Sequence, residues 1–89
     1  MAAFIITRIQ TGDYETWRPM FEQDRPLARA KATRQRIFRK VDDPNHVFVF
    51  LEFDSVADAD EARGRLEESG VLDRFEDKDG PNVLEEAPG

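Results

Sequence analysis

Cysteine is absent from this 89-residue chain. That excludes a disulfide framework, a thiolate nucleophile and a cysteine-based zinc cluster. It also suits a reducing compartment, so a cytoplasmic location is expected. Histidine occurs once, at His46. With one imidazole and no carboxylates grouped at ligand spacing, no metal site is expected, and nothing in the sequence calls for a cofactor. The five glycines are scattered, which leaves no glycine-rich loop to cradle a phosphate. Three hydroxyls could be considered as nucleophiles, those of Thr7, Ser55 and Ser69. None has a His–acid constellation, and Ser55 and Ser69 have capping roles to fill. Long hydrophobic runs are missing as well. The longest, residues 2–6 and 47–51, are far too short to span a bilayer. The opening MAAFIITRI has no basic n-region, long apolar core or cleavage signature, so neither a signal peptide nor membrane association is expected.

Charge is plentiful but lopsided. The net charge of −6 argues against a general affinity for nucleic acid. Yet residues 29–40 hold six basic side chains and no acid, whereas residues 52–86 hold thirteen acids against Arg63, Arg65, Arg74 and Lys78. A charge run of this kind reads first as a solvated face, and second as one half of a complementary contact.

Periodicity divides the chain into six elements, which read as one domain over residues 1–89. Residues 2–10 carry Phe4, Ile5, Ile6 and Ile9 and read as a strand. Thr11-Gly12-Asp13 breaks it, and Asp13 can cap a helix in which Tyr14, Trp17 and Phe21 recur at helical spacing. Pro19 and Pro26 should make that helix irregular. Residues 33–41 read as a basic strand. Asp42-Asp43-Pro44-Asn45 is a strong turn signal, and residues 46–54 return as a third strand, giving a hairpin. Ser55 caps a second helix bearing Val56, Ala59, Ala62 and Leu66, which Gly70 ends in a left-handed conformation. Leu72 and Phe75 suggest one further helical turn, and residues 81–86 a last short strand. The order β-α-β-β-α-β predicts an α+β, ferredoxin-like fold. Its four-stranded antiparallel sheet should run 4-1-3-2, with the apolar first and third strands central and the charged second and fourth at the edges.

The third strand, HVFVFLEF, is apolar on both faces. With Val47, Val49, Leu51 and Phe53 against the helices, Phe48 and Phe50 face outward, joined by Phe4 and Ile6 from the first strand. Such a patch exposes on the order of several hundred Å², the size at which an apolar surface marks a binding site. Self-association, RNA binding and an unrelated protein partner are the candidate explanations. HVFVFLEF resembles the strand-three octapeptide of RNA-recognition motifs, with Phe48, Phe50 and Phe4 at the stacking positions. Val47 and Val49 in place of small residues, the absence of a basic residue before Phe48 and the acidic chain all count against that reading.

A second resemblance covers almost the whole chain. Asp13-Tyr14-x-x-Trp17-x-x-x-Phe21, the basic strand, the DDPN turn, the strand ending Glu52-Phe53, the Ala-rich second helix and GPNVLEE near the end are similar to the dimeric α/β-barrel superfamily, in its cyclase-like and antibiotic-biosynthesis-monooxygenase-like branch. The resemblance implies a homodimer whose two sheets close an eight-stranded barrel, with any small hydrophobic ligand between sheet and helices. Phe4, Ile6, Phe48 and Phe50 would then form the dimer interface. Arg36 and Arg39 of one protomer could lie near Glu85 and Glu86 of the other, setting register.

For chemistry, the helix side is the better candidate. Thr7, Tyr14, Trp17 and Phe21 are expected to line an aromatic pocket, with the Tyr14 hydroxyl and Thr7 as polar handles. His46 is grouped with them as a ligand-binding candidate and should fall near Arg8, a cation that favours the neutral imidazole. Cofactor-free monooxygenases of the superfamily use Trp, Tyr, Asn and Arg near an aromatic substrate. Asn45 and Asn82 lie at strand ends, but that set does not match position by position. Haem-degrading members need a helix histidine, which neither helix supplies. The resulting expectation is a small-molecule-binding protein, with a cofactor-free monooxygenase or cyclase as the enzymatic alternative.

Overall fold

The computed structural model describes residues 2–23 and 29–88. Its elements are β1 (Ala3–Gln10), α1 (Tyr14–Gln23), β2 (Arg34–Arg39), β3 (His46–Phe53), α2 (Val56–Ser69) and β4 (Lys78–Glu85). All strand pairs are antiparallel and the sheet runs β2-β3-β1-β4. This is the ferredoxin-like arrangement expected, with charged strands at both edges. Among the described residues no helix is long and apolar enough to cross a membrane.

The two central strands alternate strictly. Ala3, Ile5, Thr7 and Ile9 are buried on β1, and Val47, Val49, Leu51 and Phe53 on β3. Ile5 lies opposite Leu51, Thr7 opposite Val49 and Ile9 opposite Val47. Opposed residues share a face, so these eight side chains form one surface beneath the helices. Phe4, Ile6, Phe48 and Phe50 share the other face, and the Phe4 and Phe50 rings lie 5.3 Å apart. The register adds two residues that strand alternation alone did not single out. Phe38 of β2 lies opposite Phe48 and Leu84 of β4 opposite Phe4, and they are 50% and 43% exposed.

The helices sit at different heights. On α2 the residues buried against the sheet are Ala59 and Ala62, and their small side chains let its backbone approach β4, β1 and β3. Ser55 caps its start, its Oγ accepting the Asp58 N–H at 3.1 Å, and Gly70 ends it at φ 71°. On α1 the inward residues are large. Trp17 is buried, with Tyr14 and Phe21 packed beside it, so α1 rests on rings and no strand backbone comes as near. Asp13 caps it, accepting the Glu15 N–H at 3.1 Å and the Thr16 hydroxyl at 2.9 Å. The helix continues through Pro19, which is exposed; Pro26 lies outside the described residues.

β4 starts three residues earlier than the sequence signals suggest. Asp79 pairs with Arg8 and Asn82 with Ile6, so Gly80 and Pro81 are taken up in a bulge opposite Thr7. An edge strand accommodates both breakers in this way. The Gly80–Pro81 peptide bond is cis. Gly80 has φ 109°, and a β-carbon there would sit 2.8 Å from the Ile6 carbonyl oxygen.

Gly80→Ala is therefore expected to cost about 2 kcal/mol or more, from disfavoured backbone and backbone clash together. Gly12→Ala, at φ 75° but in open space, should cost only about 1 kcal/mol. Urea midpoints of the two variants test this. Equal losses would mean that the approach to Ile6 is not the constraint.

Candidate functional site

Because α1 stands off the sheet while α2 lies close, a cavity of about 300 Å³ remains under α1. Thr7 and Ile9 of β1 and Val49 and Leu51 of β3 form its floor. Trp17, Met20 and Phe21 of α1 form its roof. Leu66 of α2 and Val71, Leu72 and Phe75 from the turn after it close the side. Trp17 and Phe21 stack at 5.0 Å and 26°, a continuous aromatic wall.

Both ends of α1 are tied down, so the helix spans the cavity as an arch. At its start the Tyr14 N–H donates to Asn45 Oδ1 at 2.9 Å, which satisfies one of the free N–H groups of the first turn. Arg39 lies over the Tyr14 ring at 4.0 Å, and Arg18 donates to the Tyr14 hydroxyl at 2.8 Å. At its end Arg29 donates to the Phe21 carbonyl at 2.7 Å and lies over the Phe21 ring at 4.1 Å. The same guanidinium reaches Gln35 of β2 at 2.7 Å.

The turn that receives Tyr14 is itself braced. Asp43 Oδ1 accepts the Asn45 N–H at 3.1 Å and Oδ2 accepts the Gln10 amide at 2.8 Å. The Asn45 carbonyl takes both the N–H and the hydroxyl of Thr11, each at 2.8 Å. The Gln10 amide, and after it the Asn45 N–H, hold the Asp43 carboxyl below its ordinary value of 3.8.

The cavity is apolar except at a few points. Thr7 is 5% exposed, and its hydroxyl makes no hydrogen bond to another described residue. Arg29 and Arg74 also line the cavity, and no carboxylate does among the described residues. Arg74 donates to the Met20 sulfur at 3.2 Å across the opening.

Three of the residues expected to form the pocket come together here: Thr7, Trp17 and Phe21. Tyr14 belongs to the anchoring of α1, its hydroxyl occupied by Arg18. His46 does not join them, and this corrects its grouping with the pocket. Strand alternation puts it on the outer face, stacked on Phe48 at 5.6 Å and 8°. It lies near Arg8, as the antiparallel register suggests. Arg8 Nη1 lies 2.8 Å from both His46 Nε2 and Asp77 Oδ1, and donates to the carboxylate. That contact with Arg8 also holds the Asp77 carboxyl below its ordinary value.

Of the residues assigned to the opposite face, Phe4, Ile6, Phe48 and Phe50 lie there together, with Arg36 opposite Phe50. Arg39 lies opposite Val47 on the helix side, and Glu85 lies opposite Ala3 on that side too. Glu86 follows the end of β4 and is exposed. Asn45 and Asn82 bond to backbone at Tyr14 and Ile6. Sequence reasoning did not assign Met20, Arg29, Leu66, Val71, Leu72, Arg74 or Phe75 to the site. Met20, three residues beyond Trp17, was legible from helical spacing. After Gly70 the spacing of Leu72 and Phe75 marks one further turn, but it does not show that this turn closes a cavity.

No protein-family model matches the chain, and no curated protein sequence matches it. Among solved structures it is similar to Rv0793 from Mycobacterium tuberculosis, with a TM-score of 0.71 and 15% sequence identity over 100% of this chain and 98% of that one. At that identity the likeness carries the fold alone.

A depressed carboxylate stabilises the fold above its ordinary pKa, and that contribution is lost as pH falls through the lower folded value. Asp43→Asn should therefore lower the melting temperature near neutral pH, and the gap to the parent should close as pH is taken below 3.8. A gap that persists far below that value would mean that the charge on Asp43 does not brace the turn.

Proposed function

We propose that the chain is a homodimeric α/β-barrel protein that binds a small hydrophobic molecule between α1 and the sheet. The observation that carries this is the cavity of about 300 Å³, walled by the Trp17–Phe21 stack and with Thr7 at its floor. Packed cores rarely keep such a volume empty. A bound molecule would fill the space and give the Thr7 hydroxyl its partner. A cavity of about 150 Å³ holds one benzene, so about 300 Å³ suits a molecule of two fused rings. Binding is favoured over catalysis because the polar groups on the walls are the Gln23 amide, the Thr7 hydroxyl and two guanidinium groups, and the phenol of Tyr14 is held outside by Arg18.

Calorimetry with 2-naphthalenemethanol tests the reading. Binding should shift the single indole N–H resonance, that of Trp17, in the NMR spectrum. Leu66→Phe, which adds volume at the wall, should weaken binding by about tenfold. An unmoved Trp17 resonance would sink the proposal.

The dimer rests on a separate observation. Phe4, Ile6, Phe48, Phe50, Phe38 and Leu84 form a continuous apolar face on the side of the sheet away from the helices. Two such faces stacked together would close the barrel that the family resemblance implies. Arg36 would stand in that contact, whereas Arg39, stacked on Tyr14, would not. The same rings cannot also stack RNA bases. Sedimentation equilibrium should find the parent dimeric and a Phe48→Ser, Phe50→Ser double variant monomeric. A folded double variant that remains dimeric places the interface elsewhere.

A further inference from the structure

We infer that the molecule held under α1 is an aromatic carboxylate, seated with its rings against Trp17 and Phe21 and its carboxylate on Arg74. This rests on the reading that the cavity binds a ligand, and it names that ligand's class.

The charge around the cavity points to an anion. The chain has 19 acidic residues against 13 Lys and Arg. Its surface potential therefore disfavours anions in general. Yet among the described residues the charged side chains lining this cavity are both arginines. Arg29 is committed to holding the end of α1. Arg74 is not. Its one side-chain hydrogen bond among the described residues is to the Met20 sulfur, a weak acceptor. Of the acids beside Arg74 in the adjoining groove, Asp77 is already paired with Arg8 at 2.8 Å, Asp13 caps α1, and Glu76 makes no ion pair with it. The guanidinium is thus held at the opening with most of its donors facing solvent or ligand, and that fork matches a carboxylate in two parallel bonds.

The walls define the rest of the molecule. The Trp17–Phe21 stack offers a flat aromatic surface, with Phe75 at the side. Flat rings fill such a slot better than a flexible chain and lose less conformational freedom on entry. At the floor, the Thr7 hydroxyl can donate to or accept from an oxygen substituent on the ring. A carboxylate at the mouth, rings in the middle and a polar substituent at the floor match Arg74, the Trp17–Phe21 wall and Thr7 in turn.

The test is calorimetry of the full chain with three probes of one shape: 2-naphthoate, 2-naphthalenemethanol and 2-naphthylmethylammonium. Naphthoate should bind about tenfold tighter than the alcohol, as expected for a charge-assisted pair at a partly exposed site, and the ammonium probe weakest. Arg74→Gln should remove the advantage of naphthoate and leave the alcohol unchanged. Arg65→Gln, at an exposed arginine paired with Glu61, should leave all three unchanged. If the alcohol binds as tightly as naphthoate, or the advantage survives Arg74→Gln, the inference is overturned while the cavity reading stands. If Arg65→Gln removes the advantage equally, Arg74 is not the recognising group and the inference fails. If no probe binds and Trp17 stays unmoved, the cavity reading falls and the inference with it.

Discussion

The side-chain carbonyl of Asn45 accepts the first N–H of α1 at 2.9 Å, while its backbone carbonyl holds the end of β1 through Thr11. One residue of a hairpin turn thereby fixes where a helix begins and how far it stands from the sheet. The cavity depends on that distance. A helix start has several N–H groups without internal partners, and here the partners come from two places, Asp13 locally and Asn45 from 31 residues away. The capping requirement of α1 and the geometry of the β2–β3 hairpin are met by the same residue, so neither can shift without the other. Asp43, braced from both sides, keeps the turn in the shape that makes this possible.

The basic run over residues 29–40 takes on a different meaning in this light. It is neither a plain solvated face nor, for most of its members, a contact reserved for a partner. Arg29 covers Phe21, Arg39 covers Tyr14, and Lys31 reaches Asp58 and Glu61 of α2. Cation–π contacts at exposed sites contribute about 0.5–1 kcal/mol each. None of these contacts holds the fold alone. Together they bind two helices to the β2 side of the sheet, where α2's close packing does not extend. The acids of the second half answer Lys31, while aromatic rings answer Arg29, Arg36 and Arg39.

Much of this architecture was legible in the residues. Alternation on β1 and β3 separated the two faces, charge marked the edge strands, and Asp13, Ser55 and Gly70 marked helix ends by their backbone chemistry. Parity also decides two placements that spacing alone leaves open. Arg36 and Arg39 are three apart on a strand, so they lie on opposite faces. His46 shares parity with Phe48, so it cannot meet Thr7 across the sheet. What was not legible has a physical reason too. Gly80 and Pro81 look like the start of an element, but an edge strand absorbs them in a bulge. The wall made by Val71, Leu72, Arg74 and Phe75 lies in a turn, where side-chain direction follows tertiary contact rather than period.

The central strands carry both proposed functions on opposite sides of one backbone. Thr7, Ile9, Val49 and Leu51 floor the cavity, while Ile6, Phe48 and Phe50, their immediate neighbours in sequence, form the outer face. A chain of 89 residues buries a limited share of its surface, and a sheet with helices on one side leaves its other side to be covered. A second copy would stiffen β1 and β3 from beneath. The floor of the cavity would then be a surface fixed from below by stacked rings, while its roof remains an arch held at its two ends. Any adjustment to a ligand would consequently fall on α1 and the turn after α2, the elements that carry Trp17, Phe21 and Arg74.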